Sequence, residues 1–269
     1  AAEDIVVEED YLVEELKKLI EQKDSDDLEV HIGTHGEPLL YSPLVDLVAD
    51  IAKIKQVKRI SIDTNATLLT KKKVDALIKA GLTQFNISIN ALEEEKAVHI
   101  AGASYNLKHV LGITRYIAEK KAKLVIAPVF LKNINEEDIK SLIKLAKELG
   151  CTIGIQNFLH YKGGRNPAKQ LSWKKFKAML VRYEKEYDKK LLLDLKEDFN
   201  IHPTTPLKKP FKKGQVIDAV ILSPSRKKDE YLAASADRNI TVSGNLKIGD
   251  KVKLKLTRDK HNIFYGVVK

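Results

Sequence analysis

The sequence predicts an α/β protein in which a parallel sheet wrapped by helices is followed by a small all-β barrel. Three observations predict it. Strand-like apolar runs alternate with helical patterns through residues 1–156. Polar residues collect just beyond the ends of those runs, where parallel α/β folds bind their ligands. Past residue 214 the pattern changes to short β-type runs broken by turn residues.

Taken in order, the β-type runs are expected at 28–32, 59–63, 84–89, 123–130 and 152–156, with helical patterns at 9–22, 43–54, 71–80, 105–119 and 135–149. Gly81 and Gly150 stand where helices end in a left-handed residue. Asn135 with Asp138 three residues on resembles an N-terminal capping pattern. The first run leads into Gly33-Thr34-His35-Gly36-Glu37-Pro38-Leu39-Leu40, a glycine-rich turn before a helix. Such a turn lets a ligand approach the backbone, a carboxylate there can hold a cation, and Pro38 stiffens the turn. Glu37, Asn65, Ser88, Asn90, Pro128 and Gln156 each fall just past a strand end. One such residue is ordinary loop chemistry; a succession of them marks a candidate ligand rim.

With those residues in place, the chain resembles the radical SAM superfamily over roughly residues 5–160. Gly36-Glu37-Pro38 is similar to the second-strand motif that holds the amino group of S-adenosylmethionine. Thr64-Asn65-Ala66-Thr67-Leu68-Leu69 is similar to a run after the third strand, with Ala66 where glycine is usual. Asn86-Ile87-Ser88-Ile89-Asn90 resembles the fourth-strand segment that contacts ribose and carboxylate. Ile126-Ala127-Pro128-Val129 and Gly154-Ile155-Gln156 fall where the adenine is met. The resemblance implies a partial parallel (β/α) barrel, S-adenosylmethionine and a [4Fe–4S] cluster as cofactors, and an electron donor as partner. It implies reductive cleavage of S-adenosylmethionine and hydrogen abstraction from a substrate.

The cluster in that family is held by three cysteines spaced Cys-x3-Cys-x2-Cys, whereas this chain has one, Cys151. A lone cysteine does not hold the cluster, and Cys151 reads as a small buried residue. No metal ligand set is expected among the residues present. The first strand and cysteine loop are expected to be missing through truncation or proteolysis of a longer protein, with a natural cluster-less relative as the alternative. As given, the chain is expected to be inactive.

Charge divides the sequence. Residues 1–156 carry 21 Lys and Arg against 25 Asp and Glu, a net of −4. Residues 157–269 carry 26 against 12, a net of +14, which points to a polyanionic partner. Residues 157–207 read as a basic insert, with a flexible turn at Tyr161-Lys162-Gly163-Gly164-Arg165 and a helix capped by Ser172 that packs Trp173, Phe176, Met179, Leu180 and Tyr183 on the body. His160 and His202 have no metal-ligand partner at a useful spacing.

Residues 208–269 read as a linker, Lys208–Gly214, and five short strands at 215–222, 231–235, 240–242, 251–256 and 264–268. The runs Leu246-Lys247-Ile248-Gly249-Asp250-Lys251-Val252-Lys253-Leu254 and Phe264-Tyr265-Gly266-Val267-Val268 resemble the TRAM domain, an RNA-binding module of tRNA-modifying enzymes. Alternation places Lys251, Lys253 and Lys255 on one strand face, either tracking a phosphate backbone or simply solvated. Arg226, Lys227 and Lys228 are further candidates for RNA contact.

No apolar run is long enough to span a membrane. One cysteine, one methionine and abundant Lys and Glu are the composition expected of a cytoplasmic protein from a thermophile. The expected function is a radical SAM enzyme acting on RNA, tRNA above all. A non-catalytic RNA-binding protein, or a radical SAM enzyme acting on a protein or small molecule, stays open.

Overall fold

The computed structural model describes residues 6–33, 36–160, 165–225 and 229–269. They form two compact units: Glu8–Thr204, and Thr205–Lys269 grouped with Val6 and Val7.

In the first unit, strand formation follows the β-branched runs: β1 (Leu28–Ile32), β2 (Val57–Thr64), β3 (Gln84–Ile87), β4 (Lys123–Ile126), β5 (Val129–Phe130), β6 (Thr152–Ile153) and β7 (Gln156–Asn157). Strands β1, β2, β3, β4 and β6 pair in parallel in that order, and β5 pairs with β7. The helices are α1 (Glu9–Ile20), α2 (Leu44–Ala52), α3 (Lys71–Ala80), α4 (Glu94–Ala101), α5 (Leu107–Ala118), α6 (Glu136–Glu148), α7 (Trp173–Tyr187) and α8 (Leu195–Phe199). Thr70 caps α3 by accepting from Lys73 N, and Gly81 closes it at φ 116°, a value open to glycine.

Period-two alternation gives the sheet two different faces. Ile60, Ile62, Phe85, Ile87, Leu124 and Ile126 are buried with Val48, Leu77, Val110, Ile139 and Leu142 of the helices. The intervening positions are polar: Glu29 and His31 on β1, Arg59, Ser61 and Asp63 on β2, Gln84 and Asn86 on β3. A parallel sheet covered on both faces would be apolar at both sets of positions.

Several expectations are corrected. The runs at 123–130 and 152–156 each divide in two, because Pro128 has no N–H and Val129 N donates to Asn90 Oδ1 (2.8 Å). Helix α4 went unforeseen: it is eight residues long and buries only Ala97, so it shows little apolar period. Asn135 precedes α6 but makes no side-chain cap; its Oδ1 accepts from Leu131 N and its Nδ2 donates to Asn90 O and Val129 O. Asp138 instead accepts from Leu92 N and pairs with Lys96. Trp173 is 56% exposed, while Phe176, Leu180 and Tyr183 of α7 enter the core of the first unit together with Leu191.

In the second unit, β8 (Val216–Pro224), β9 (Glu230–Ser235), β10 (Arg238–Ser243), β11 (Lys251–Arg258) and β12 (Phe264–Val268) close a barrel in the order β10–β12–β11–β8–β9. Its core is Ile217, Ala219, Ile221, Ala233, Ile240, Val242, Leu254, Leu256 and Phe264. Ala236 and Asp237, both at positive φ, make the tight turn between β9 and β10. A Cβ on Gly266 would sit 3.3 Å from Leu254 Cβ and 3.4 Å from Ile240 Cγ2, so the filled interior favours glycine there. Phe211, within the expected linker, is buried in this core and meets Phe264 edge-on at 5.6 Å.

Candidate functional site

All five strands of the main sheet run the same way, so their following loops share one edge. Along that edge the expected site residues are stitched to one another. Glu37 Oε1 accepts from Thr64 Oγ1 (2.6 Å) and Leu39 N (3.2 Å), and its Oε2 accepts from Asn65 N (2.9 Å). Ser88 N donates to Thr64 O (2.9 Å). Asn90 Oδ1 takes Val129 N, and Gln156 N donates to Pro128 O (2.8 Å). Glu37, Asn65, Ser88 and Asn90 are half-buried, Gln156 is exposed, and Pro128 is buried and offers its backbone carbonyl. Gly36 has open space where a Cβ would stand, whereas Thr34 and His35 of the same loop lie outside the described residues. Pro38 is buried at the start of a short 3₁₀ turn, which lets Glu37 cap Leu39 N.

Ala66 adopts φ 60°, the left-handed region in which glycine avoids a steric cost. That is the physical reason for glycine at this point of the motif. Thr64 Oγ1 accepts from Ala66 N (3.0 Å) and Asn65 Oδ1 accepts from Thr67 N and Thr67 Oγ1, which holds the turn all the same. Tyr105 donates its hydroxyl to Ser88 O (3.2 Å), and burial pushes its ionisation up to about 12, so it stays a donor.

The rim chemistry fits S-adenosylmethionine. A fixed carboxylate suits an ammonium, and both asparagines use their side-chain carbonyl within the chain, leaving amide Nδ2 donors for carboxylate or ribose. The residues do not fit a [4Fe–4S] cluster. Cys151 is the one cysteine, it is buried, and burial raises its thiol to about 11, far from the thiolate a cluster needs.

Below the rim, the polar sheet face carries a network that the sequence reading passed over. Ser61 Oγ donates to Glu29 Oε1 (2.6 Å), His31 Nδ1 lies 2.8 Å from Ser61 Oγ and His31 Nε2 lies 3.2 Å from Asp63 Oδ2. Asn86 Nδ2 donates to Asp63 Oδ1 (2.7 Å), and Gln84 Nε2 donates to Asn86 Oδ1 (2.8 Å). The hydrogen bond to Asp63 holds the imidazole above its ordinary value, against the opposing effect of burial. Asp63 is pushed up by burial, but hydrogen bonds from His31 and Asn86 outweigh this and hold it below the usual carboxylate range. The signal was present in the sequence: polar residues at every second position of three strands that otherwise read as core.

On the second unit, Lys251, Lys253 and Lys255 are all exposed on one face of β11, with Leu254 and Leu256 turned inward. Arg226, Lys227 and Lys228 lie outside the described residues, as do Tyr161–Gly164 of the basic turn, while Arg165 donates to His99 O.

The family model for the radical SAM superfamily matches residues 3–146. An uncharacterized protein of Methanocaldococcus jannaschii is 37% identical over 97% of this chain and 67% of its own length. The GTP 3′,8-cyclase of Aquifex aeolicus is 32% identical over 48% of this chain, which spans 39% of that enzyme. Among solved structures, SuiB of Streptococcus suis bound to its precursor peptide SuiA matches 71% of this chain and 43% of its own, with a TM-score of 0.55 at 19% identity, a likeness of fold. A parallel sheet with a stitched carboxyl rim, a family model covering more than half of the residues and a relative aligned along nearly all of them lead to one conclusion: the chain belongs to the radical SAM superfamily, whose members use S-adenosylmethionine and a [4Fe–4S] cluster.

Proposed function

We propose that this chain binds S-adenosylmethionine along the sheet rim and RNA, tRNA above all, on its C-terminal barrel, as part of a radical SAM enzyme that modifies RNA. The observation that carries the first half is the run of hydrogen bonds joining Glu37, Thr64, Asn65 and Ser88, with Asn90, Pro128 and Gln156 beyond them. In this reading Glu37 takes the ammonium of the methionine moiety. Asn65, Ser88 and Asn90 face its carboxylate and ribose, Gly36 and Pro38 shape the turn, and Pro128 and Gln156 meet the adenine. Bound there, S-adenosylmethionine supplies an activated sulfonium. No reductive step is assigned to residues 1–269, because their single cysteine does not hold the cluster.

The RNA half rests on the closed five-stranded barrel, whose size and topology suit a TRAM-like module, and on the three exposed lysines of β11. A second reading, a free purine nucleotide as substrate, is favoured by the similarity to the Aquifex aeolicus protein named GTP 3′,8-cyclase.

Isothermal titration of this chain with S-adenosylmethionine tests the rim. Weak binding is expected, since the cluster that ordinarily holds the methionine end is absent from the donor set. Glu37→Gln should weaken it by about tenfold, the loss of one charge-assisted hydrogen bond. A wild-type chain that gives no binding at millimolar ligand, or a variant that binds equally well, removes Glu37 from the assignment.

A further inference from the structure

The open polar face beneath the rim has an arrangement of protons that can be deduced from its bonds. The one hydroxyl proton of Ser61 goes to Glu29, so Ser61 Oγ must accept from His31 Nδ1. Asp63 as a carboxylate only accepts, so the bond to its Oδ2 requires a proton on His31 Nε2 as well. In its protonated form His31 satisfies both bonds at once, lying between Asp63 and the Ser61–Glu29 pair. Asn86 fixes the other oxygen of Asp63, and Gln84 fixes Asn86.

Asp63 remains 48% exposed, and each of its oxygens has a second lone pair. Neighbouring groups cover the amino-terminal part of the same face. Arg59 Nη2 donates to Asn200 O, Lys123 Nζ donates to Asp198 O, and Leu193 lies 3.6 Å from where a Cβ on Gly154 would stand. Among the described residues the His31–Asp63 end is left open. It also lies directly under Gly33, where a Cβ would come 2.9 Å from His31 Nε2 and 3.7 Å from Asp63 Oδ2.

We propose that this end of the face is a guanine-binding site in which Asp63 accepts two adjacent N–H groups of the base. A carboxylate with one free lone pair on each oxygen can take two donors side by side. Among the four RNA bases only guanine has them, at N1 and N2, whereas adenine and cytosine put an acceptor beside the donor and uracil has a single N–H. A guanidinium offers the same pair but carries a charge, and a protonated His31 at 3.2 Å already offsets that of Asp63. A neutral base suits the site better. The inference rests on the proposed nucleic-acid or nucleotide substrate and names the part of it that is read.

The test titrates the full chain with guanosine, inosine and adenosine 5′-monophosphates, following the His31 ring signals by NMR. Guanosine monophosphate should bind and shift those signals. Inosine monophosphate, which lacks N2, should bind about tenfold more weakly, and adenosine monophosphate more weakly still. Asp63→Asn, which replaces one acceptor by a donor, should abolish the preference. The comparison among nucleotides on the unaltered chain stands even if that variant does not fold. A parallel arm compares a short oligouridine with the same strand carrying one guanosine. Preference in the oligonucleotide alone assigns the base to RNA, and preference in both admits a free nucleotide. Equal binding of all three monophosphates together with equal binding of the two strands overturns the proposal. RNA binding through the barrel lysines is read separately from its salt dependence, so its failure is not confused with loss of guanine selectivity.

Discussion

At Glu37 one carboxylate closes three donors that would otherwise end unpaired at the sheet rim: Thr64 Oγ1, Leu39 N and Asn65 N. Glu37→Ala should therefore lower the unfolding free energy by about 2–3 kcal/mol, measured by urea denaturation, because charged hydrogen bonds are lost and buried donors remain. The His31–Asp63 pair makes stability depend on pH. Asp63 raises the folded-state pKa of His31 above that of the unfolded chain, so the pair's contribution is full below about pH 6.5 and is lost as pH rises through the folded value. Both groups are about half exposed, so the effect should be small, and NMR titration of His31 reads it directly. In Asp63→Asn the His31 pKa should fall back towards the ordinary value. Cys151, its thiol raised to about 11 by burial, should react with a disulfide reagent at pH 8 roughly a hundredfold more slowly than an exposed thiol until the chain unfolds.

Among the elements, legibility followed how strongly each one's own residues decide its state. Strand β1 and helix α3 stand where the apolar period and, for α3, its Thr70 and Gly81 ends put them. Helix α4 was illegible because it buries a single alanine. Asn135 looked like a cap because capping uses that residue type, yet partners brought in by the rim loops compete for its amide. Phe211 was read as part of a linker because prolines and lysines surround it, and only the barrel shows the space that it fills. Phe211→Ala should cost the second unit about 3 kcal/mol, seen as a lower melting temperature of that unit, since a buried aromatic is replaced by a cavity.

For the whole molecule, the charge asymmetry is the feature that binding experiments can read. If the +14 half meets RNA through its barrel, affinity for tRNA should fall with salt by about 0.7 log units per neutralised phosphate for each tenfold rise in salt on single strands. Replacing Lys251, Lys253 and Lys255 together by glutamine should flatten that slope by roughly two units. The barrel should remain folded, because all three lysines are exposed on β11. Filter binding at three salt concentrations measures both. Retention of the full slope by the triple variant would place the RNA elsewhere.

The sequence by itself determined the alternation of strands and helices, the rim positions Glu37, Asn65, Ser88, Asn90, Pro128 and Gln156, the shift to a five-stranded barrel and the alternation of lysines along β11. Each of these follows from local periodicity or from a turn between two neighbouring elements, which a few adjacent residues specify. Only the tertiary structure decided that Glu37 is closed by donors 27 and 28 residues away, that Phe211 fills the barrel core, and that His31, Ser61, Asp63 and Asn86 meet on one face. Those relations depend on which strand lies beside which and in what register. Register is set by pairing between segments far apart in the chain, so no single stretch of sequence carries it.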